Sequence, residues 1–288
     1  MADQDCSIDG NSDFYGLGLR IGLYLTIIAS WLSKLFLREV FSSMQISTLA
    51  LLLANLIALC IAARNPDADL YAVEGCVMFY LLIMQFMPAA SLPKGKWMGG
   101  LDLPSALLFF LSIAFKPLWA WYWIKGVYFW KPSPCGKEYA FLLARVNLVG
   151  GFRIFMIIIW VALSVWSVRN LYYFFRYCGS ESAQNAEDIP SIMEGELRQL
   201  YRAPLSFFVS VLAVELTIHF NHIKGVHSLR STSQLIPFVV GLGQLLFVIF
   251  QMRFGDTDID ELSFPSLGGD FAARMKLASA VSRASRYG

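Results

Sequence analysis

Charge is scarce in this chain of 288 residues: Asp, Glu, Lys and Arg make up only 15% of it, where soluble domains carry about 25%. The net charge of +2 is close to neutral, and no Lys/Arg run is dense enough to track phosphates, so no nucleic-acid partner is expected. There are five cysteines, Cys6, Cys60, Cys76, Cys135 and Cys178, with no Cys-x-x-Cys pair and no zinc spacing. Cysteine-based metal or redox chemistry is therefore not expected. No Asp-rich motif of the kind that holds Mg²⁺ on a prenyl diphosphate is present, and no internal repeat shows at a fixed period. These absences imply neither metal nor cofactor.

Apolar residues are abundant, at 57% with a mean hydropathy of +0.55. They fall in runs of about 17 to 22 residues, the length a helix needs to cross roughly 30 Å of hydrocarbon. Seven such runs are readable, at residues 15–36, 47–63, 71–87, 103–122, 147–168, 204–219 and 235–252. The expected fold is an all-α polytopic membrane helix bundle of about seven transmembrane helices. Residues 1–14 form an acidic leader outside or in a lumen, 15–252 the membrane domain and 253–288 a cytoplasmic tail. The leader carries Asp3, Asp5, Asp9 and Asp13 and no Lys or Arg, unlike the basic start of a signal peptide, so the first run is read as a retained helix.

Orientation follows from the rule that basic loops stay in the cytoplasm. With the N-terminus outside, cytoplasmic Lys and Arg exceed those on the other side roughly two to one. The expected location is a plasma membrane or endomembrane, with the bilayer as the principal partner. Proline 117 should interrupt the fourth helix. The aromatic residues from Trp119 to Trp130 read as an interfacial belt, with a ligand cage as the alternative. Ile192, Met193, Leu197, Leu200 and Tyr201 read as one face of a short amphipathic helix before the sixth span.

Two stretches carry a family resemblance. One is Asn11 to Leu25, NSDFYGLGLRIGLYL; the other is Glu215 to Val226, ELTIHFNHIKGV, followed by Ser231 to Gly241, STSQLIPFVVG. They resemble a large group of fungal multi-pass membrane proteins without an assigned biochemical activity. The resemblance covers both ends of the bundle, implies a fungal membrane protein and transfers no catalytic residue.

Gly16, Gly18, Arg20 and Gly22 imitate a nucleotide loop but lie in a hydrophobic span, where no strand precedes them. Gly18 and Gly22 share a helical face and suit close helix packing. Charges inside spans are costly and mark either function or internal pairing. Arg20, Glu74, Lys116, Glu215 and His219 all fall in the outer half of the N-out arrangement, so a polar, outward-opening cavity ringed by them is expected. Collapsed ion pairs are the alternative. Glu215, His219 and His222 are spaced i, i+4 and i+7, which suits headgroup anchoring, a proton or polar-ligand role, or a metal, although no metal-binding motif supports the last. Cys6 and Cys135 would both face the oxidising side and form a disulfide, with Cys76 as the substitute partner for Cys135. Three functions follow: binding or transport of a polar small-molecule ligand, a membrane-embedded cyclase or isomerase using Glu74 or Glu215 as acid or base, or a structural role.

Overall fold

A computed structural model describes residues 7–64, 70–86, 103–134, 136–141, 144–177, 192–229 and 231–254. Cys6, Cys135, Cys178 and the tail from 255 onward lie outside the described residues, and with them the Cys6–Cys135 pairing. By its internal contacts the chain divides into residues 1–248 and 249–288, and of the second only 249–254, the end of the last helix, is described.

The described chain is mostly helical. In order it contains β1 (Ile8–Asp9), α1 (Ser12–Tyr15), α2 (Leu17–Phe36), α3 (Arg38–Arg64), α4 (Ala72–Phe86) and α5 (Leu103–Trp121). A π turn over Tyr122–Gly126 and the short α6 (Val127–Phe129) follow, then β2 (Tyr139–Phe141), β3 (Arg145–Asn147), α7 (Gly151–Tyr177), α8 (Ile192–Phe220), β4 (Ile223–Lys224) and α9 (Thr232–Phe254). Five helical segments are long and apolar enough to cross a membrane: Ser12–Phe36, Ser43–Arg64, Ala106–Phe129, Gly151–Arg169 and Thr232–Phe254. Two apolar segments, Ala72–Phe86 and Pro204–Phe220, are shorter. The outward faces are apolar as well: Ile57 and Ile61 on α3, Ile154, Ile158 and Val165 on α7, and Leu235 and Val239 on α9 are all exposed. Continuous apolar surface on that scale requires a nonpolar solvent. The protein is an integral, multi-pass membrane protein.

Hydrogen bonds bring alternate helix ends to one end of the bundle, here the first end. The start of α2 meets the start of α4 through Tyr15 and Glu74. The π turn after α5 meets α4 through the Tyr122 hydroxyl and the Ala72 carbonyl, 2.8 Å, and meets the start of α7 through Arg153. The end of α8 meets β2, and Ser233 at the start of α9 donates to Asp13 at 2.7 Å. Two small strand pairs close this end, β1 with β4 in parallel and β2 with β3 antiparallel.

Several sequence expectations change here. Helix α5 runs through Pro117 without interruption, because a missing backbone donor is tolerated where neighbouring elements re-satisfy the carbonyls. The irregularity comes one turn later, at the π turn. There Arg153 donates to the carbonyls of Trp123 (2.7 Å) and Ile124 (2.8 Å), supplying donors where the helical ladder is disturbed. The aromatic belt is only partly a belt. Trp119, Tyr122, Trp123 and Trp130 are buried core residues; the Phe79 ring of α4 is 4.1 Å from Trp119 and 4.9 Å from Tyr122 by centroid, and Trp123 and Trp130 pack in turn on Tyr122. Only Tyr128 and Phe129 are exposed and Trp121 is half-buried, as interfacial rings should be. Such aromatic pairs contribute about 0.5–1.5 kcal/mol each beyond area burial, and Gly75 leaves room for the Trp130 ring, which stands 1.9 Å from where a Cβ would be. The fifth span begins at Gly151 and not at 147, since Arg145–Asn147 pairs as a strand. The sequence 192–201 is the start of the long α8 and not a separate helix.

Candidate functional site

Helix α2 is the most enclosed of the five long apolar helices, and its sequence explains why. Gly18 and Gly22 present bare backbone to α9: a Cβ at Gly18 would stand 2.4 Å from the Gln234 carbonyl oxygen, and one at Gly22 only 2.2 Å from that of Pro237. Gly241 in turn approaches Gly22 so closely that its Cβ would stand 2.2 Å from the Gly22 carbonyl oxygen. Small residues spaced by four thus allow the helices to touch. The same turns of α2 turn Arg20 and Tyr24, four residues apart and so on one face, toward α8.

Arg20 is wholly buried and forms an ion pair with Glu215 of α8 through Nη1 and Oε2. Its Nη2 donates to the Val226 carbonyl at 3.3 Å, and its Nε has no partner. The Tyr24 hydroxyl donates to Glu215 Oε1 at 2.9 Å. Glu215 nevertheless keeps 40% of its side chain exposed. Both carboxylate oxygens are thus held on one side while the other remains open.

Glu74, also wholly buried, has a different set of partners. Oε1 accepts from the Tyr15 hydroxyl at 2.6 Å and the Asn11 amide at 2.8 Å, while Oε2 accepts from the Tyr71 amide at 2.8 Å. The Tyr71 bond is a helix-capping contact, since Glu74 stands in the first turn of α4 and reaches back to a free N–H before it. Glu138, from the loop before β2, is held by the Ser133 amide at 2.7 Å and the Val73 amide. Its burial pushes the carboxyl up to about 7, against the lowering effect of those amides. Two carboxylates therefore crown the start of α4, where the helix dipole favours negative charge.

No described protein family, curated protein or solved structure matches the chain.

The first end is sealed by a strap. Residues Ile8 and Asp9 pair with Ile223 and Lys224, and the Gly10 amide donates to the Lys224 carbonyl at 2.9 Å. Gly10 has no space for a side chain, since a Cβ would stand 2.4 Å from both Ile223 Cγ2 and the Tyr15 hydroxyl. Across from the strap, Asn221 pairs with the backbone of Tyr139, accepting from its amide at 2.9 Å and donating to its carbonyl at 2.6 Å. Thr217, one turn earlier, accepts from the Phe141 amide at 3.1 Å.

Of the residues singled out from the sequence, Arg20 and Glu215 meet directly, whereas Glu74 is held by Tyr15, Asn11 and Tyr71. Lys116 does not join them; it lies 5.9 Å from the ring of Trp166 on α7. His219 and His222 are exposed, and α8 ends at Phe220, so His222 sits in a turn with φ 48° and does not continue the helical face. Among the described residues no three His, Cys, Asp or Glu side chains are grouped to hold a metal. Cys76 is a buried free thiol. Sequence reasoning missed Tyr15, Tyr24, Thr217, Asn221 and Glu138. Tyr24 and the Thr217–Asn221 pair had a signal, the i, i+4 repeat of a polar partner on the same helix face; the others pair across the chain.

Proposed function

We propose that the chain is a seven-span membrane protein that binds a polar small molecule at the open carboxylate edge of the Arg20–Glu215–Tyr24 centre, with the first end of the bundle facing the outside or a lumen. The alternation of helix ends at that end supports seven crossings if Ala72–Phe86 and Pro204–Phe220 also span, and the excess of basic residues on the opposite side supports the orientation. The two stretches that carry the fungal resemblance meet here: Asn11–Leu25 supplies Arg20 and Tyr24, Glu215–Val226 supplies the acid and the Val226 carbonyl, and Ser231–Gly241 packs on the glycines.

The observation that carries the reading is a wholly enclosed arginine whose acid partner keeps 40% of its side chain open. Membrane charges are retained where they do something, and here the enclosed Arg20 and Tyr24 fix a carboxylate whose accessible edge is offered to a ligand with hydrogen-bond donors. Of the two acids that the enzyme alternative offers, Glu74 spends both oxygens on Tyr15, Asn11 and Tyr71, which leaves Glu215 alone to act as acid or base. A structural role is favoured by one feature, the direct contact of the two charges. Protein purified from its native membrane should retain a small polar molecule detectable by mass spectrometry, and Glu215→Gln should lose it while remaining folded. If Glu215→Gln only lowers the melting temperature and nothing but bulk lipid is retained by either form, the charges serve as a structural pair.

A further inference from the structure

A trough of about 420 Å³ runs between the second half of α5 and the middle of α7, lined by Pro117, Ala120, Ile124, Lys125, Val161 and Ser164. This volume lies in the roughly 300–1,000 Å³ range of sites that hold a ligand. The sequence makes the hollow with small side chains, Ala120 and Ser164. Ser164 also turns its hydroxyl back to the Trp160 carbonyl at 2.6 Å, which leaves the trough wall apolar. From Lys125 to Pro117 the wall descends roughly 12 Å at 1.5 Å per residue, close to the roughly 15 Å depth of one leaflet's hydrocarbon.

The mouth is cationic. Lys125 is exposed in the π turn, and the Arg153 guanidinium is bound to the carbonyl of its neighbour Ile124 at 2.8 Å. Neither Lys125 nor Arg153 has a carboxylate partner among the described residues. Arg153 is further held by the Tyr128 hydroxyl at 2.9 Å, and Tyr128 and Phe129 are exposed as rings at a headgroup layer are. Lys125 thus stands as an exposed positive charge at headgroup level above an apolar trough one leaflet deep, while the Arg153 guanidinium is taken up by the carbonyls of Trp123 and Ile124 and the Tyr128 hydroxyl.

We infer that this trough is a binding site for one anionic phospholipid, with its phosphate against Lys125 and one acyl chain lying along Pro117, Ala120 and Val161. The site stands on α5 and α7 and is independent of the Arg20–Glu215 centre. A lysine at the headgroup layer attracts a phosphate by charge, and about 1 kcal/mol for one lysine is about fivefold in affinity. The test uses the full-length protein in neutral detergent, titrated with phosphatidylglycerol or with phosphatidylcholine of the same acyl chains and read by native mass spectrometry. The wild type should hold one phosphatidylglycerol about fivefold more tightly than phosphatidylcholine. Lys125→Gln should abolish the preference, Lys224→Gln should leave it intact, and Ser164→Phe, which fills the trough, should release both lipids. Val161→Phe fills the same space from an exposed position and replaces Ser164→Phe if that variant does not fold. Equal retention of the two lipids, an unchanged preference in Lys125→Gln, or undiminished retention in the filled variants would overturn the proposal.

Discussion

Glu138 is a carboxyl buried at the first end of the bundle, with two backbone amides for partners and another acid, Glu74, in its vicinity. Its burial raises the carboxyl to about 7 from an ordinary 4.5. In the folded state it therefore keeps its proton over a range where the unfolded chain has lost it. Its contribution to stability is complete below about pH 4.5, falls as pH rises toward 7 and is constant above that, a total of about 3 kcal/mol. The melting temperature of the solubilised protein should thus decline from pH 5 to pH 7.5. Glu138→Gln, which stays neutral, should remove most of that slope; an unchanged slope would assign the pH dependence to other groups. The sequence held a weak sign of this residue, a lone acid between Lys137 and Arg145 beside Tyr139 and Phe141. Its partners could not be read, since Val73 lies on a separate helix. Arg20 and Glu215 were legible as costly intramembrane charges, but their pairing depends on which faces of α2 and α8 meet, and only tertiary packing fixes that.

At the scale of elements, the long apolar helices were readable because bilayer thickness sets their length. Their ends were less so. The strands at 139–141 and 145–147 are too short for a period to show, and the turn of α5 into the aromatic core depends on Phe79 of another helix. The glycine face of α2 was readable, its partner was not: nothing in the spacing of Gly18 and Gly22 points to Gln234, Pro237 and Gly241 on α9. That contact yields a sharp comparison of two glycines. At Gly22 a Cβ would stand 2.2 Å from the Pro237 carbonyl oxygen, and at Gly243 of α9 it would meet nothing within 4 Å. Backbone atoms cannot swing aside as a side chain can, so Gly22→Ala should destabilise by about 1–3 kcal/mol. Gly243→Ala should be neutral or mildly stabilising. Thermal denaturation of both variants in one detergent measures the difference, and equal melting temperatures would show that α2 and α9 are not in backbone contact.

For the whole molecule, the decisive quantity is the parity of the crossings. Five helices meet the length and hydropathy a bilayer demands, an odd number, and adding the two shorter apolar helices gives seven, also odd. The parity is even only if one of the two short segments spans and the other does not. Hydrogen bonds argue against that division: the start of α4 shares the first end with the starts of α2, α7 and α9, and the end of α8 reaches the same place. If Ala72–Phe86 turned back before crossing, α5 would begin at the first end instead of finishing there beside Ala72. If Pro204–Phe220 did not cross, α7 and α9 could not both begin there. Small tags at residues 2 and 288 should therefore be protected from protease on opposite sides of sealed vesicles. With the basic residues deciding direction, the tag at 288 should face the cytoplasm. Digestion of both tags from the same side would mean that one short segment fails to cross, and would remove the common end on which the Arg20–Glu215 centre depends.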